Sequence, residues 1–275
     1  MFSIAKTEWL KIKNYPAFWW VMGITALTYP AINSILVYQY YDIVEKENAT
    51  GKIVKALLGN PFAFPEAWKT VAYFSSVFVF IPAIVVIMLV TNEYTYKTNR
   101  QNIIDGWSRK DFMTGKLMGV LILSGIVTAL YAIVALIIGI GNTHATAGST
   151  VNKWGMVYYI GLFALQTFSQ LSLAFLVGLL VRKSFIALAI FAFYFIMLEP
   201  IAYNLIRVKL HSEIGRFFPL NISHRLIPRP AFFSRFDEKA YQASLDAVKY
   251  HVVYTFILIF ITWGLCFWIN KRRDL

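Results

Sequence analysis

Few residues in this chain could carry chemistry, and their spacing excludes most reactions. A phosphate-binding P-loop needs G-x-x-x-x-G-K-[ST], so that glycine-rich backbone can wrap the phosphates. Gly51-Lys52 and Gly115-Lys116 lack both the upstream glycine and the following hydroxyl residue. His144, His211, His224 and His251 are scattered, with no H-E-x-x-H zinc helix and no G-x-S-x-G nucleophile elbow. Cys266 is the single cysteine, so neither an intramolecular disulfide nor a cysteine-based zinc site is expected. No catalytic residue, metal site or cofactor is therefore assigned to this chain.

What remains is polar chemistry inside apolar segments. Glu199 is the one formally charged residue within a long apolar run, and Pro200 beside it weakens local helix hydrogen bonding. A carboxylate at membrane depth is costly, by about 2.5–3.5 kcal/mol on insertion scales for the related Asp, so it must face protein or water. It could contact substrate or a proton, act as a gate, or be a structural group paired near Asn204. Gln166, Ser169 and Gln170 share one helical face, as do Ser124 and Thr128. Such faces either line a translocation path or hydrogen-bond between helices. Gly23, Gly161 and Gly178 read as close-packing positions.

The elements that must hold these groups follow from composition. Of 275 residues, 58% are hydrophobic and only 15% charged, leaving too little polar surface to cover a soluble globule. A bilayer core of about 30 Å needs roughly 20 apolar residues in a helix. Runs of that length occupy 16–38, 70–91, 117–141, 154–181, 184–206 and 251–269. They lack the alternating polarity of barrel strands, so the expected fold is an all-α integral membrane protein of six transmembrane helices in a single transmembrane domain, 1–275.

The net charge of +12 would lie in loops, with no nucleic-acid face. Basic residues divide evenly between the two sides of this topology. On the amino-terminal side they crowd span ends, whereas on the other side most lie in one segment between spans five and six, 207–250. That asymmetry puts both termini in the cytoplasm, in a multi-pass cell-membrane protein. Trp19, Trp20, Tyr38, Tyr40, Tyr41, Trp68, Trp154, Tyr158 and Trp268 near span ends suit aromatic belts.

Two connecting regions carry more information. Residues 1–13 place Phe2, Ala5, Trp9 and Ile12 at spacings of three and four, with lysines mostly elsewhere, which predicts an amphipathic interfacial helix. In the stretch from Glu93 to Lys116, Asp105-Gly106 is a turn signal, and Ser108 with Asp111 resembles a capping box. A short helix, a turn and a second helix leading into span three are expected. Phe217, Phe218, Leu220, Ile222, Leu226 and Ile227 are too apolar for a solvated loop, so re-entrant or interfacial placement is expected for 207–250. Arg225, Arg229 and Arg235 could there meet lipid headgroups or an anionic substrate, or merely pair with Asp237 and Glu238.

An acidic residue closing span two, then Thr and Arg, an apolar pair, Ser-Arg and a Lys before span three together resemble the permease subunits of ABC-2-type ATP-binding-cassette transporters. The positions are Glu93, Thr98, Arg100, Ile103, Ile104, Ser108, Arg109 and Lys116. Lys97 stands where that family commonly has Gly, and Trp107 where it has Pro or Leu. The resemblance implies a cytoplasmic coupling helix between spans two and three and partly embedded helices outside between spans five and six. Glu93 to Arg109, with Trp107, would dock an ABC ATPase subunit that binds ATP and Mg. It also implies a second permease copy or a homologous permease, membrane lipids as partners, and export as the usual direction. Two other readings stay open: a membrane enzyme acting on lipids through Glu199 with His211 or His224, and a non-transporting scaffold or mechanotransmission subunit.

Overall fold

The computed structural model describes residues 2–45, 59–104, 106–143, 152–231 and 238–272. Helices make up their regular structure, with no strand among the described residues. In chain order they are α1 (Phe2–Lys13), α2 (Pro16–Glu45), α3 (Ala67–Ser76), α4 (Phe80–Thr95), α5 (Thr98–Ile104), α6 (Arg109–Thr143) and α7 (Tyr159–Val181). Then come α8 (Ser184–Phe193), a π turn (Tyr194–Leu198), α9 (Glu199–Lys209), a 3-10 turn (Ile214–Phe217), α10 (Pro219–His224) and α11 (Glu238–Arg272).

Five helical segments are long and apolar enough to cross a membrane: α2, α6, α7, the continuous run from α8 through α9, and α11. The fold is that of a multi-pass helical membrane protein. Helices α3 and α4 pass the same test only as a pair, bent by 49°. The expected unbroken run over 70–91 is thus corrected, and the cause is in the sequence. Pro82 has no N–H to donate back to Phe78, so the helix restarts at Phe80 with Pro82 in its first turn.

Helix α7 is the central post, packed against α4, α6 and α11. Tyr131 of α6 stacks on Phe163 of α7 with centroids 4.3 Å apart, and its hydroxyl donates to the Trp68 carbonyl at 2.7 Å. Phe175 of α7 stacks on Trp263 of α11 at 5.0 Å, and the Trp263 indole donates to Ser172 Oγ at 3.0 Å. Trp68 is fully buried and belongs to the core rather than to an aromatic belt, whereas Trp19, Trp20, Tyr38 and Trp268 are exposed as belts require. Gly178 lets the backbone of Ile87 approach closely, but Gly23 and Gly161 have no atom of the described residues within 4 Å of a would-be Cβ.

The segment between the fifth and sixth expected spans, 207–250, carries the helices expected of it, and the last of them is continuous with the final span. Residues 238–250 form the first turns of α11, where Tyr241, Leu245 and Val248 recur at helical spacing. Earlier in the segment, Leu220, Ile222, Leu226 and Ile227 are buried in protein, which accounts for their apolar character.

Candidate functional site

Two polar constructions lie at opposite ends of the bundle. At the first, α4 ends, α6 begins and α1 docks against α6. Gly115 and Gly119 on α6 make this possible: a Cβ at Gly115 would come within 3.1 Å of Ile4, and one at Gly119 within 3.6 Å of Ile12. The amphipathic α1 therefore packs into the bundle through Ile12 and Glu8, both buried, rather than only resting on lipid.

That approach seats Glu8 in a cluster of four charges. Lys116 Nζ donates to Glu8 Oε2 at 2.8 Å and to Glu93 Oε1. Lys11 Nζ lies 3.0 Å from Glu8 Oε1 and 3.5 Å from Glu93 Oε1. Burial pushes the Glu8 carboxyl up, but the Lys116 and Lys11 ammonium groups outweigh it and hold the carboxyl below its ordinary range. The cluster is charge-balanced, as a buried set of ions must be.

The expected helix-turn-helix follows directly. In α5, Ile103 is half-buried and Ile104 is 77% exposed. Gly106 has φ +96°, open to glycine without strain, and closes the turn. Ser108 Oγ accepts from the Asp111 N–H at 3.0 Å while Asp111 Oδ2 accepts from Ser108 N–H at 3.3 Å, a reciprocal capping box. Trp107 sits with Lys11 5.7 Å from its ring centroid. Thr98 is exposed, and the Arg100 side chain lies outside the described residues. Arg109 donates to the carbonyls of Asn270 and Lys271 at 3.2 and 3.0 Å, so it holds the end of α11 rather than projecting outward.

Lys97, ahead of α5, adopts φ +56°, a left-handed conformation that costs a side-chain-bearing residue about 1–2 kcal/mol. Lys97→Gly is expected to raise stability by about 0.5–1 kcal/mol after the entropy of the unfolded chain is counted. A thermal melt of the detergent-solubilised protein checks it, and an unchanged or lower melting temperature contradicts it.

At the opposite end, the π turn widens the helix just before Pro200 and turns Glu199 inward, where it is buried. Its carboxyl oxygens accept from Leu220 N–H at 3.1 Å, Asn221 N–H at 2.6 Å and Asn221 Nδ2 at 2.9 Å. Glu199 thus caps α10; Tyr194 of the π turn also interacts with it, and Asn204 is not among these partners.

Helix α10 in turn delivers His224 to the buried face of α7. Gln166 Nε2 lies 3.2 Å from His224 Nδ1, and Gln170 Nε2 3.4 Å from Nε2. Burial pushes the His224 imidazole down to about 4, so it is neutral at physiological pH. A neutral ring has one donor and one acceptor, so one glutamine must turn its oxygen to the ring. Ser169 Oγ is buried with no hydrogen-bond partner among the described residues. On α6, Ser124 donates across to the Ala164 carbonyl at 3.3 Å, the interhelical option.

Above His224 opens a cavity of about 710 Å³, bordered by α9, the 3-10 turn, α10 and α11. Arg225 and Arg229 line it, joined by Arg207 and Arg216, to which the sequence assigned no role. Arg225 donates to Tyr203 Oη at 2.9 Å and approaches Glu213 at 4.0 Å, so its acidic neighbour is Glu213. Glu238 instead accepts from Gln242 at 2.7 Å. Arg235, Asp237 and His144 lie outside the described residues. The missed arginines carried a signal: Arg207 closes the last turn of α9, and Arg216 stands one residue before the apolar pair Phe217-Phe218.

Among curated proteins, none matches this chain. A family described as "Protein of unknown function (DUF2705)" matches residues 64–275, a stretch running from the approach to α3 through the capped α10 and its cavity to the end of α11. With most of its length matched, the chain belongs to the DUF2705 family.

Proposed function

We propose that this chain is the transmembrane subunit of an ABC-2-type transporter, working as a dimer in the cell membrane with a separate ATPase subunit. It has six spans when α3 and α4 count as one broken span, and the charge-cluster end faces the cytoplasm. The observation that carries this reading is the build of 93–116: a short helix presenting Ile104 outward, locked by a capping box. Its two ends, Glu93 and Lys116, are joined to each other and to α1.

Such a segment transmits force. ATP-driven closure of the partner pair pushes α5, and the ion cluster passes the displacement to α1, α4 and α6 together. The spans then rock and switch a path at the dimer interface between inner and outer access, with export as the direction. ATP and Mg bind the partner; this chain supplies the apolar contact and the lever.

Ile104→Asp places a charge in that contact while disturbing little of the chain's own packing. It is expected to abolish co-purification with a co-expressed ABC ATPase partner and to remove stimulated ATP hydrolysis, since an anchor of this kind is worth about 2 kcal/mol or more. Ile103→Asp, on a half-buried residue, should also lower stability. Assembly and stimulated hydrolysis unchanged in Ile104→Asp remove the docking assignment.

A further inference from the structure

We infer that the cavity between α9, α10 and α11 binds the phosphate group of an anionic amphiphile drawn from the membrane. The inference concerns binding alone and stands whether or not an ATPase engages α5.

Charge comes first. Arg207, Arg216, Arg225 and Arg229 border one cavity, against a single acidic lining residue among those described, Glu213. Arg225 is partly engaged by Tyr203 and Glu213, and Arg216 lies over the Phe217 ring at 4.9 Å. Arg207 and Arg229 make no ion pair among the described residues. Guanidinium groups gathered without matching carboxylates repel one another unless an anion joins them. Their planar forks match phosphate oxygens two at a time. His224 on the floor is neutral and adds no competing charge.

Size and walls identify what carries the phosphate. A volume of about 710 Å³ falls among sites for organic ligands, about 300–1,000 Å³, and is far more than a bare ion fills. Ala240, Ala243 and Ala247 give α11 a smooth apolar strip along one wall. Outside the cavity, Leu205 and Val208 on α9 and Val253 on α11 are exposed apolar residues of candidate spans. An acyl chain can lie against them while its headgroup reaches the arginines. Interfacial arginines are drawn to anionic lipid on electrostatic grounds as well.

The test uses the full chain in phosphatidylcholine nanodiscs doped with phosphatidylglycerol, read by native mass spectrometry of retained lipid and by thermal unfolding. Wild type is expected to retain phosphatidylglycerol over phosphatidylcholine and to melt higher in its presence. The double variant Arg207→Gln/Arg229→Gln removes two guanidiniums that hold no ion pair among the described residues. It should weaken retention about tenfold or more at an unchanged melting temperature in pure phosphatidylcholine. Ala243→Trp keeps every arginine but fills the cavity, and should abolish the preference. Retention within twofold of wild type in both variants overturns the inference. A parallel arm titrates inorganic phosphate: failure to displace the lipid supports an amphiphile, and displacement at equal concentration assigns a soluble phosphate and overturns the membrane source.

Discussion

Lys116→Met is expected to destabilise the protein by about 3–5 kcal/mol, the range for stripping one partner from a buried ion pair. Lys116 Nζ is the group that both Glu8 and Glu93 accept from. Without it two carboxylates share Lys11, whose side chain is 31% exposed and whose contact to Glu93 is 3.5 Å. Part of the loss should return in Lys116→Met/Glu8→Gln, because the second change removes the stranded charge. A double-mutant cycle on melting temperatures in detergent measures that coupling. A single-variant loss below about 1 kcal/mol, or strict additivity, contradicts the cluster's role.

The cluster also sets a pH dependence. Glu8 has a folded-state pKa below its ordinary 4.5, so its contribution is fully present above about pH 4.5 and fades as pH falls through the lower folded value. Wild type should lose stability over that acid window by more than Glu8→Gln does.

The second large effect is at Glu199. Glu199→Gln replaces one acceptor oxygen with a donor that faces the Leu220 or Asn221 N–H, and is expected to cost about 1.5–3 kcal/mol. Glu199→Ala removes all three hydrogen bonds and should free α10 from α9. Proteolysis between 210 and 218 should then accelerate, and anion retention should fall because Arg225 follows α10 directly. Asn221→Ala removes one of the three bonds and should have a smaller effect in the same direction. If Glu199→Gln melts like wild type yet alters transport, the residue acts on substrate rather than as a cap.

How far these features were legible depended on whether their cause was local. The apolar runs at 117–141 and 154–181 match α6 and α7 because length and hydropathy alone define a spanning helix. The capping box at Ser108 and Asp111 was legible because it spans three residues. The break before α4 was also local, in Pro82, but the apolar run around it reads as continuous. The start of α11 lies ahead of the apolar run at 251–269: Asp246 and Lys249 interrupt the hydropathy, while Tyr241, Leu245 and Val248 keep helical period.

Long-range pairings were another matter. Nothing in the spacing of Glu8 and Lys116 foretells their contact, although Gly115 and Gly119 in G-x-x-x-G register marked where a helix could approach. The ABC-2 resemblance singled out Glu93 for a docking surface and Lys116 as a position of its pattern; their side chains are turned toward each other, and Lys116 also reaches Glu8. Glu199 stood out by its cost in an apolar run, but its partners, on a helix beyond the intervening loop, were not deducible from that run.

The contact between Glu8 and Lys116 also imposes an order on biogenesis. The residues are 108 apart, so at synthesis rates of about 5–20 residues per second the carboxylate precedes its lysine by roughly 5–20 s. Over that interval Lys11, one helical turn away, is the cation within its reach. The last turns of the nascent α1 are thus seated only when the ribosome has already delivered α2, α3 and α4.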